Sequence, residues 1–262
     1  MDCWEAETYD AVSGTQEKWA KTIIDTRIWT GKENLLDAGC GSGRVTRILS
    51  KVITKGKIYA IDNDSNMAKK AKENLLGIEN VKVMKADLLD IGASFIPLKF
   101  DVVFSNAVLH WISDHRQVFR NFNDLLNENG VLLIQCGGYG NLQRAIEIFD
   151  KAKALPEFSK YFTRWKNEWN FAKPEDTKNI LKEFGYREVN VYLADAPVAF
   201  GSKGDYSVYL KTVILGPYLK HLPSEEIRVK FVDAIIALVE KHRSTPKQWT
   251  LDYVRLNIFA SR

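Results

Sequence analysis

Residues Leu35 to Thr46 read Leu-Leu-Asp-Ala-Gly-Cys-Gly-Ser-Gly-Arg-Val-Thr, and no other stretch of the chain constrains its fold as tightly. An apolar run ending in an acid, three alternating glycines and the start of an amphipathic segment describe a buried strand that turns sharply into a helix. Gly39, Gly41 and Gly43 allow φ > 0 and a closer ligand approach than any Cβ would permit, at a helix N-terminus whose N–H groups are free to bind. Spacing narrows the ligand. A dinucleotide loop places its third glycine three residues after the second; here Arg44 holds that position and the glycine arrives one residue early, at Gly43. Asp37, at the end of the strand, would repel a pyrophosphate but suits an ammonium group. A cationic nucleoside cofactor is therefore expected, with a nicotinamide dinucleotide as the weaker alternative.

The chain has 262 residues, 45% of them hydrophobic and 27% charged, an ordinary balance for a globular domain with a substantial core. Its net charge of +4 is too mild to name a polyanionic partner. The acidic start, Met1 to Glu7, lacks the basic and apolar regions of a secretory signal, and the apolar run Ala234 to Val239 falls far short of the roughly 20 residues of a membrane span, so a cytoplasmic protein is expected. Cys3, Cys40 and Cys136 are odd in number and widely separated, which suits free thiols better than zinc or a redox pair.

Short β-rich runs alternate with helical ones, the pattern of βα units and a mostly parallel sheet. Candidate strands are Asn34 to Ala38, Lys57 to Ile61, Val81 to Met84, Phe100 to Ser105, Val131 to Cys136, Arg187 to Leu193 and Tyr253 to Ser261. Asn129-Gly130 reads as a turn before the fifth. Two regions break the alternation: an N-terminal segment with a helix over Thr15 to Ile28, and a long crossover that carries amphipathic helices over Asp205 to Leu219 and Ser224 to His242.

After the second strand, Asp62 lies about 20 residues beyond the glycine loop, the place of a carboxylate that accepts ribose hydroxyls. Asp64 suits the N-cap of a helix over Met67 to Leu75. Asp87 and Leu88 follow the third strand, and Asn106 ends the fourth. Acids at the C-terminal ends of successive strands matter together, because ligands of open α/β sheets bind along that edge.

These motifs resemble the class I S-adenosylmethionine-dependent methyltransferases, whose first motif is an acid two residues before Gly-x-Gly-x-Gly. The string Asn106-Ala-Val-Leu-His-Trp111, the Asp-His that follows it and the closing Arg-x-x-Ile-Phe-Ala-Ser-Arg are similar to the branch of trans-aconitate and juvenile hormone acid methyltransferases. The resemblance runs over nearly the whole chain. It implies a Rossmann-like α/β fold, a seven-stranded mostly parallel sheet with helices on both faces, an antiparallel last strand and helical lid insertions. It divides a single methyltransferase domain (1–262) into an N-terminal cap at 1–33, a cofactor-binding core at 34–154 and lid elements at 155–173 and 204–243. S-adenosyl-L-methionine is the implied cofactor. Asp37, Gly39, Cys40 and Gly41 would hold its amino-acid end, Asp62 the ribose hydroxyls, Asp87 and Leu88 the adenine, with Asn63, Met67 and Asn106 as further cofactor contacts.

Asn106-Ala107-Val108 lacks the Asn/Asp-Pro-Pro-aromatic turn of enzymes that methylate amino nitrogens of bases or glutamine, and Cys136 lacks the preceding proline of cytosine carbon methylation. A small-molecule acceptor is expected, an amphipathic acid methylated on its carboxylate, with no nucleic acid as partner. Carbon methylation of a quinone or isoprenoid precursor, and a non-catalytic cofactor-binding regulator, are the alternatives. His110 is the candidate base for a hydroxyl acceptor. His115, five residues on, points to another helix face, so no metal pair is expected. The aromatic, cation-rich stretch Leu155 to Phe171 suggests Arg164 and Trp165 as acceptor contacts, joined by Arg144, Trp111, Tyr9 and Trp19.

Overall fold

The computed structural model describes residues 14–92, 96, 98–242 and 249–262, which form two compact units. The first takes the chain up to Tyr139 together with 169–194 and 255–262; the second takes 140–168 and 195–254. The expected lid segments, 155–173 and 204–243, fall largely in the second unit, which begins earlier, at Gly140.

The first unit is built on a sheet of seven strands in the order β3-β2-β1-β4-β5-β9-β6. These are β1 (Asn34–Ala38), β2 (Lys57–Asp62), β3 (Val81–Lys85), β4 (Phe100–Asn106), β5 (Leu126–Gly137), β6 (Arg187–Asp195) and β9 (Val254–Ser261). β1 pairs in parallel with β2 (Leu35 opposite Ile58) and with β4 (Leu35 opposite Val102), and β5 pairs antiparallel with β9 (Gln135 opposite Asn257). The strand order reverses between β1 and β4, and such a switch point opens a crevice at the carboxyl ends of the strands.

Central strands are apolar on both faces because both are covered. On one face Leu35, Val102 and Phe104 pack with Ala20, Ile23 and Ile24 of α1 (Gly14–Ile24) and with Leu49 of α2 (Arg44–Val52). On the other, Leu36, Val103 and Ile134 pack with Phe119 and Phe122 of α4 (His115–Leu125) and Leu181 of α6 (Pro174–Glu183). α3 (Ser65–Asn74) starts where the sequence placed its cap, since the Asp64 carboxylate accepts from the N–H groups of Asn66 and Met67.

Two expectations are corrected. β5 starts at Leu126, ahead of the expected turn: between Leu126 opposite Phe100 and Val131 opposite Val102 the register shifts in a bulge. Asp101 secures the bulge by accepting from Asn127 Nδ2 at 2.6 Å. The helix expected over Asp205 to Leu219 is three pieces: α7 (Lys203–Tyr209), a π turn (Leu210–Ile214) and α8 (Gly216–Leu219). Pro217 has no N–H to continue a helix running into it.

The second unit holds α5 (Gln143–Lys153), α7, α8 and α9 (Glu225–His242), with a short antiparallel pair, β7 (Val198–Ala199) and β8 (Thr250–Leu251). Its core is aromatic: Phe158 meets Phe231 edge-on at 5.1 Å, and the buried Tyr218 meets Phe149 edge-on at 5.5 Å. No helix among the described residues is long and apolar enough to cross a membrane.

Candidate active site

The glycine loop is tied to the neighbouring strand before any ligand is considered. The Gly39 and Cys40 N–H groups both donate to the Ile61 carbonyl, at 2.8 and 2.9 Å. Gly39 has φ 82°, and a Cβ there would lie 2.2 Å from Cγ2 of Val108. Gly41, at φ 55°, is different in kind: a Cβ would meet nothing within 4 Å, because the position faces open cleft. The first glycine is required by packing, whereas the second leaves bare backbone at the cleft.

Two adjoining clefts lie along this rim of the sheet, both within the first unit. The larger, about 420 Å³, is lined by Gly39, Gly41, Asp62, Asn63, Met67, Asp87, Leu88, Asn106 and Trp111 among others. The narrower is lined by Asp37, Gly39, Cys40, Gly41 and Asn106, with Gln16, Glu17 and Arg44. Every cofactor residue expected from the sequence thus borders one cleft or the other.

The carboxylates are organised by their surroundings. Asp62 Oδ2 accepts from the Gly41 N–H at 2.8 Å and Oδ1 from the Asp64 N–H at 2.9 Å, so it clamps the loop while keeping lone pairs for hydroxyl donors. Burial raises its pKa, and the backbone N–H groups of Asp64 and Gly41 work against that rise. Asp37 is 2% exposed, and Oδ2 accepts from the Thr46 hydroxyl at 2.6 Å. Burial, reinforced by the negative charge of Asp62, pushes its pKa up to about 7 against the opposing Thr46 hydrogen bond. Asp87 Oδ1 accepts from the Leu89 N–H at 2.9 Å, an Asx turn that leaves the side chain at the cleft beside Asn63.

Other candidates are placed differently. Cys40 is buried, and burial with the charges of Asp37 and Asp62 holds its thiol well above the usual range, far from a nucleophile. His110 is 9% exposed and sits in a short 3₁₀ turn (Leu109–Trp111); its Nδ1 accepts from the Gly137 N–H at 3.2 Å, which leaves the proton of the neutral ring on Nε2. Burial lowers its pKa well below the usual value. In this arrangement the Nδ1 lone pair is engaged by the Gly137 N–H. Trp111 borders the larger cleft, edge-on to Trp169 at 6.0 Å.

Trp19 packs against the Arg255 guanidinium, 4.2 Å from its ring centre. Tyr9 lies outside the described residues. Arg144, Arg164 and Trp165 belong to the second unit. There the Arg144 N–H donates to Asp252 at 2.8 Å, and Trp165 stacks on Tyr218 at 4.8 Å with Lys153 Nζ 3.5 Å from its ring centre. Sequence reasoning missed Gln16 and Glu17, which only the path of α1 brings to the narrow cleft, Arg44, which follows the glycine loop into it, and Ala107, whose φ of 61° is unusual for a residue with a side chain. The glycine-like turn after Asn106 left no sequence signal, because alanine occupies it.

A family model described as a methyltransferase domain matches residues 30–190. The chain is a class I S-adenosylmethionine-dependent methyltransferase. The dinucleotide alternative and the non-catalytic regulator fall with that assignment. This methyltransferase is 30% identical to the uncharacterized methyltransferase C70.08c of Schizosaccharomyces pombe over all of this chain and 98% of that one. It is 33% identical to malonyl-[acyl-carrier protein] O-methyltransferase of Bacillus anthracis and 27% identical to trans-aconitate 2-methyltransferase of Afipia carboxidovorans. Those matches take in 56% and 61% of the methyltransferase and only 55% and 60% of the relatives. In fold it is similar to a Haemonchus contortus phosphoethanolamine N-methyltransferase solved with S-adenosylhomocysteine, with a TM-score of 0.59 and 17% identity over 98% of this chain and 56% of that one.

Proposed function

We propose that this methyltransferase acts on a small-molecule acid and transfers the methyl group to a carboxylate oxygen. The single observation that carries the reading is the state of His110, buried with its Nδ1 lone pair taken by the Gly137 N–H. An ionised carboxylate arrives already nucleophilic at neutral pH and needs no base, whereas a hydroxyl or a carbon acid does. The names of the malonyl and trans-aconitate relatives support the same acceptor class.

S-adenosylmethionine, when bound, supplies a methyl group on a sulfonium, so the chemistry needs alignment more than activation. The residues fit that cofactor: a bare Gly41 facing the cleft, and carboxylates on three successive strand ends for an ammonium, two hydroxyls and an amino group. In this reading Asp37 takes the ammonium, Asp62 the ribose hydroxyls and Asp87 the adenine amino group. Asn106, whose Oδ1 is buried without a partner while Nδ2 donates to the Gln16 carbonyl at 3.0 Å, adds a fixed acceptor between the clefts. Val108, Trp111 and Ile112 supply an apolar wall that keeps water from the nucleophile.

Label transferred from the cofactor should appear in a base-labile ester; a base-stable product would overturn carboxylate methylation. Asp62→Ala should weaken S-adenosylhomocysteine binding by about 1–3 kcal/mol through lost charge-assisted hydrogen bonds. Calorimetry showing unchanged affinity would remove Asp62 from the site.

A further inference from the structure

α1 is fastened in two unlike ways. Its C-terminal half is buried, with Ala20, Ile23 and Ile24 in the apolar core against the sheet. Its first turns, at the cleft, are held by polar contacts: Asn106 Nδ2 donates to the Gln16 carbonyl at 3.0 Å, and Glu17 Oε2 accepts from Arg44 Nη2 at 2.8 Å and Nε at 3.2 Å. Glu17 and Arg44 are 27 residues apart in sequence, and Arg44 opens α2 directly after the glycine loop. Gln16, Glu17 and Arg44 all line the narrow cleft that holds Asp37. The ion pair therefore spans from α1 to the loop across the end of the site where the amino-acid half of the cofactor is placed. Its side chains are 38% and 35% exposed, and ion pairs so open to water add little to stability. Weak, two-pronged and set at the cleft, the pair is suited to parting and re-forming.

We propose that Glu17 and Arg44 form a latch that holds the first turns of α1 over the amino-acid half of S-adenosylmethionine and sets how long the cofactor stays. Both are positioning residues: they act through α1 and its Gln16–Asn106 contact. The latch rests on the cofactor placement given above. It distinguishes the two halves of the ligand, because the ribose and adenine sites, Asp62 and Asp87, border the larger cleft, away from the pair.

The test uses the full chain and two probes, S-adenosylhomocysteine and 5′-methylthioadenosine, which lacks the amino-acid group. Glu17→Gln and Arg44→Gln should each speed S-adenosylhomocysteine dissociation by about two- to five-fold and leave 5′-methylthioadenosine unchanged. The double variant should add nothing further, and the charge swap Glu17→Arg with Arg44→Glu should recover slow release. Salt at about 0.5 M should quicken release from the wild type and not from the neutralised variants. A Glu17→Gln protein that releases S-adenosylhomocysteine at the wild-type rate overturns the latch, as does an effect of Arg44→Gln alone, which would make Arg44 a direct carboxylate contact. Equal weakening of both probes also overturns it, since that reports general damage to the fold. A wild type that binds neither probe overturns the cofactor placement, and the latch with it.

Discussion

Asp37→Asn should cost at least about 3 kcal/mol of S-adenosylhomocysteine affinity, roughly 100-fold, because it leaves a buried ammonium group without its opposite charge. The same change should stabilise the empty protein at alkaline pH. The folded-state pKa of Asp37, about 7, stands above the value of 3.8 for a free side chain, so the folded protein binds the extra proton. Its contribution to stability is fully present below pH 3.8, is lost as pH rises toward 7, and above that leaves a bare charge in the core. Asparagine can still accept the Thr46 hydroxyl and carries no charge to bury. Thermal melts of the empty protein at about pH 8 should place the variant above the wild type, with the gap closing in acid. Wild-type affinity should climb as pH rises through neutrality while the variant stays flat. A flat wild-type profile would take Asp37 out of the path of the ammonium. Stability and binding trading against each other at one side chain is what a site built for a cation requires.

Gly39→Ala should destabilise the fold by about 2–4 kcal/mol, since the new methyl would clash with the Val108 side chain and the backbone is in a conformation unfavourable to side chains. Val108→Ala in that background should recover part of the loss by removing the two γ-carbons nearest the intruding atom. Gly41→Ala makes the informative contrast. A side chain there meets nothing, so the cost to the empty fold should stay near the 1–2 kcal/mol of a left-handed residue. The methyl would project into the cleft, and cofactor affinity should fall far more than stability. Melting and calorimetry on both variants separate the packing glycine from the binding one. If Gly41→Ala binds S-adenosylhomocysteine as tightly as the wild type, the loop is not the cofactor's seat.

The sheet was legible in the sequence because its strands are short, apolar and closed by turn residues; β1 spans Asn34–Ala38, the bounds its residues suggest. The Asp64 cap was legible for the same local reason, a side chain bonding two residues onward. β5 was misjudged because Asn129-Gly130 reads as a turn in isolation, whereas Asp101 and the neighbouring strand turn it into a bulge. The row of acids at the strand ends was legible through their spacing from the strands. The other wall of the narrow cleft was not: Gln16 and Glu17 look like surface positions of an amphipathic helix until α1 crosses the sheet. For His110 the residue type suggested chemistry, and its contact with the backbone N–H of Gly137, 27 residues away, is one that no local pattern announces.

The place of β9 bears on how the molecule is assembled during synthesis. β6 leaves the ribosome well before β9, yet its neighbour in the finished sheet is β9, which lies between it and β5. A nascent chain can zip its first five strands in turn, but the sixth waits with bare hydrogen-bonding edges until β9 is threaded into the gap, where the Arg262 N–H donates to the Gly130 carbonyl at 2.8 Å. Removing 254–262 would therefore detach a finished strand as well as the piece cut away.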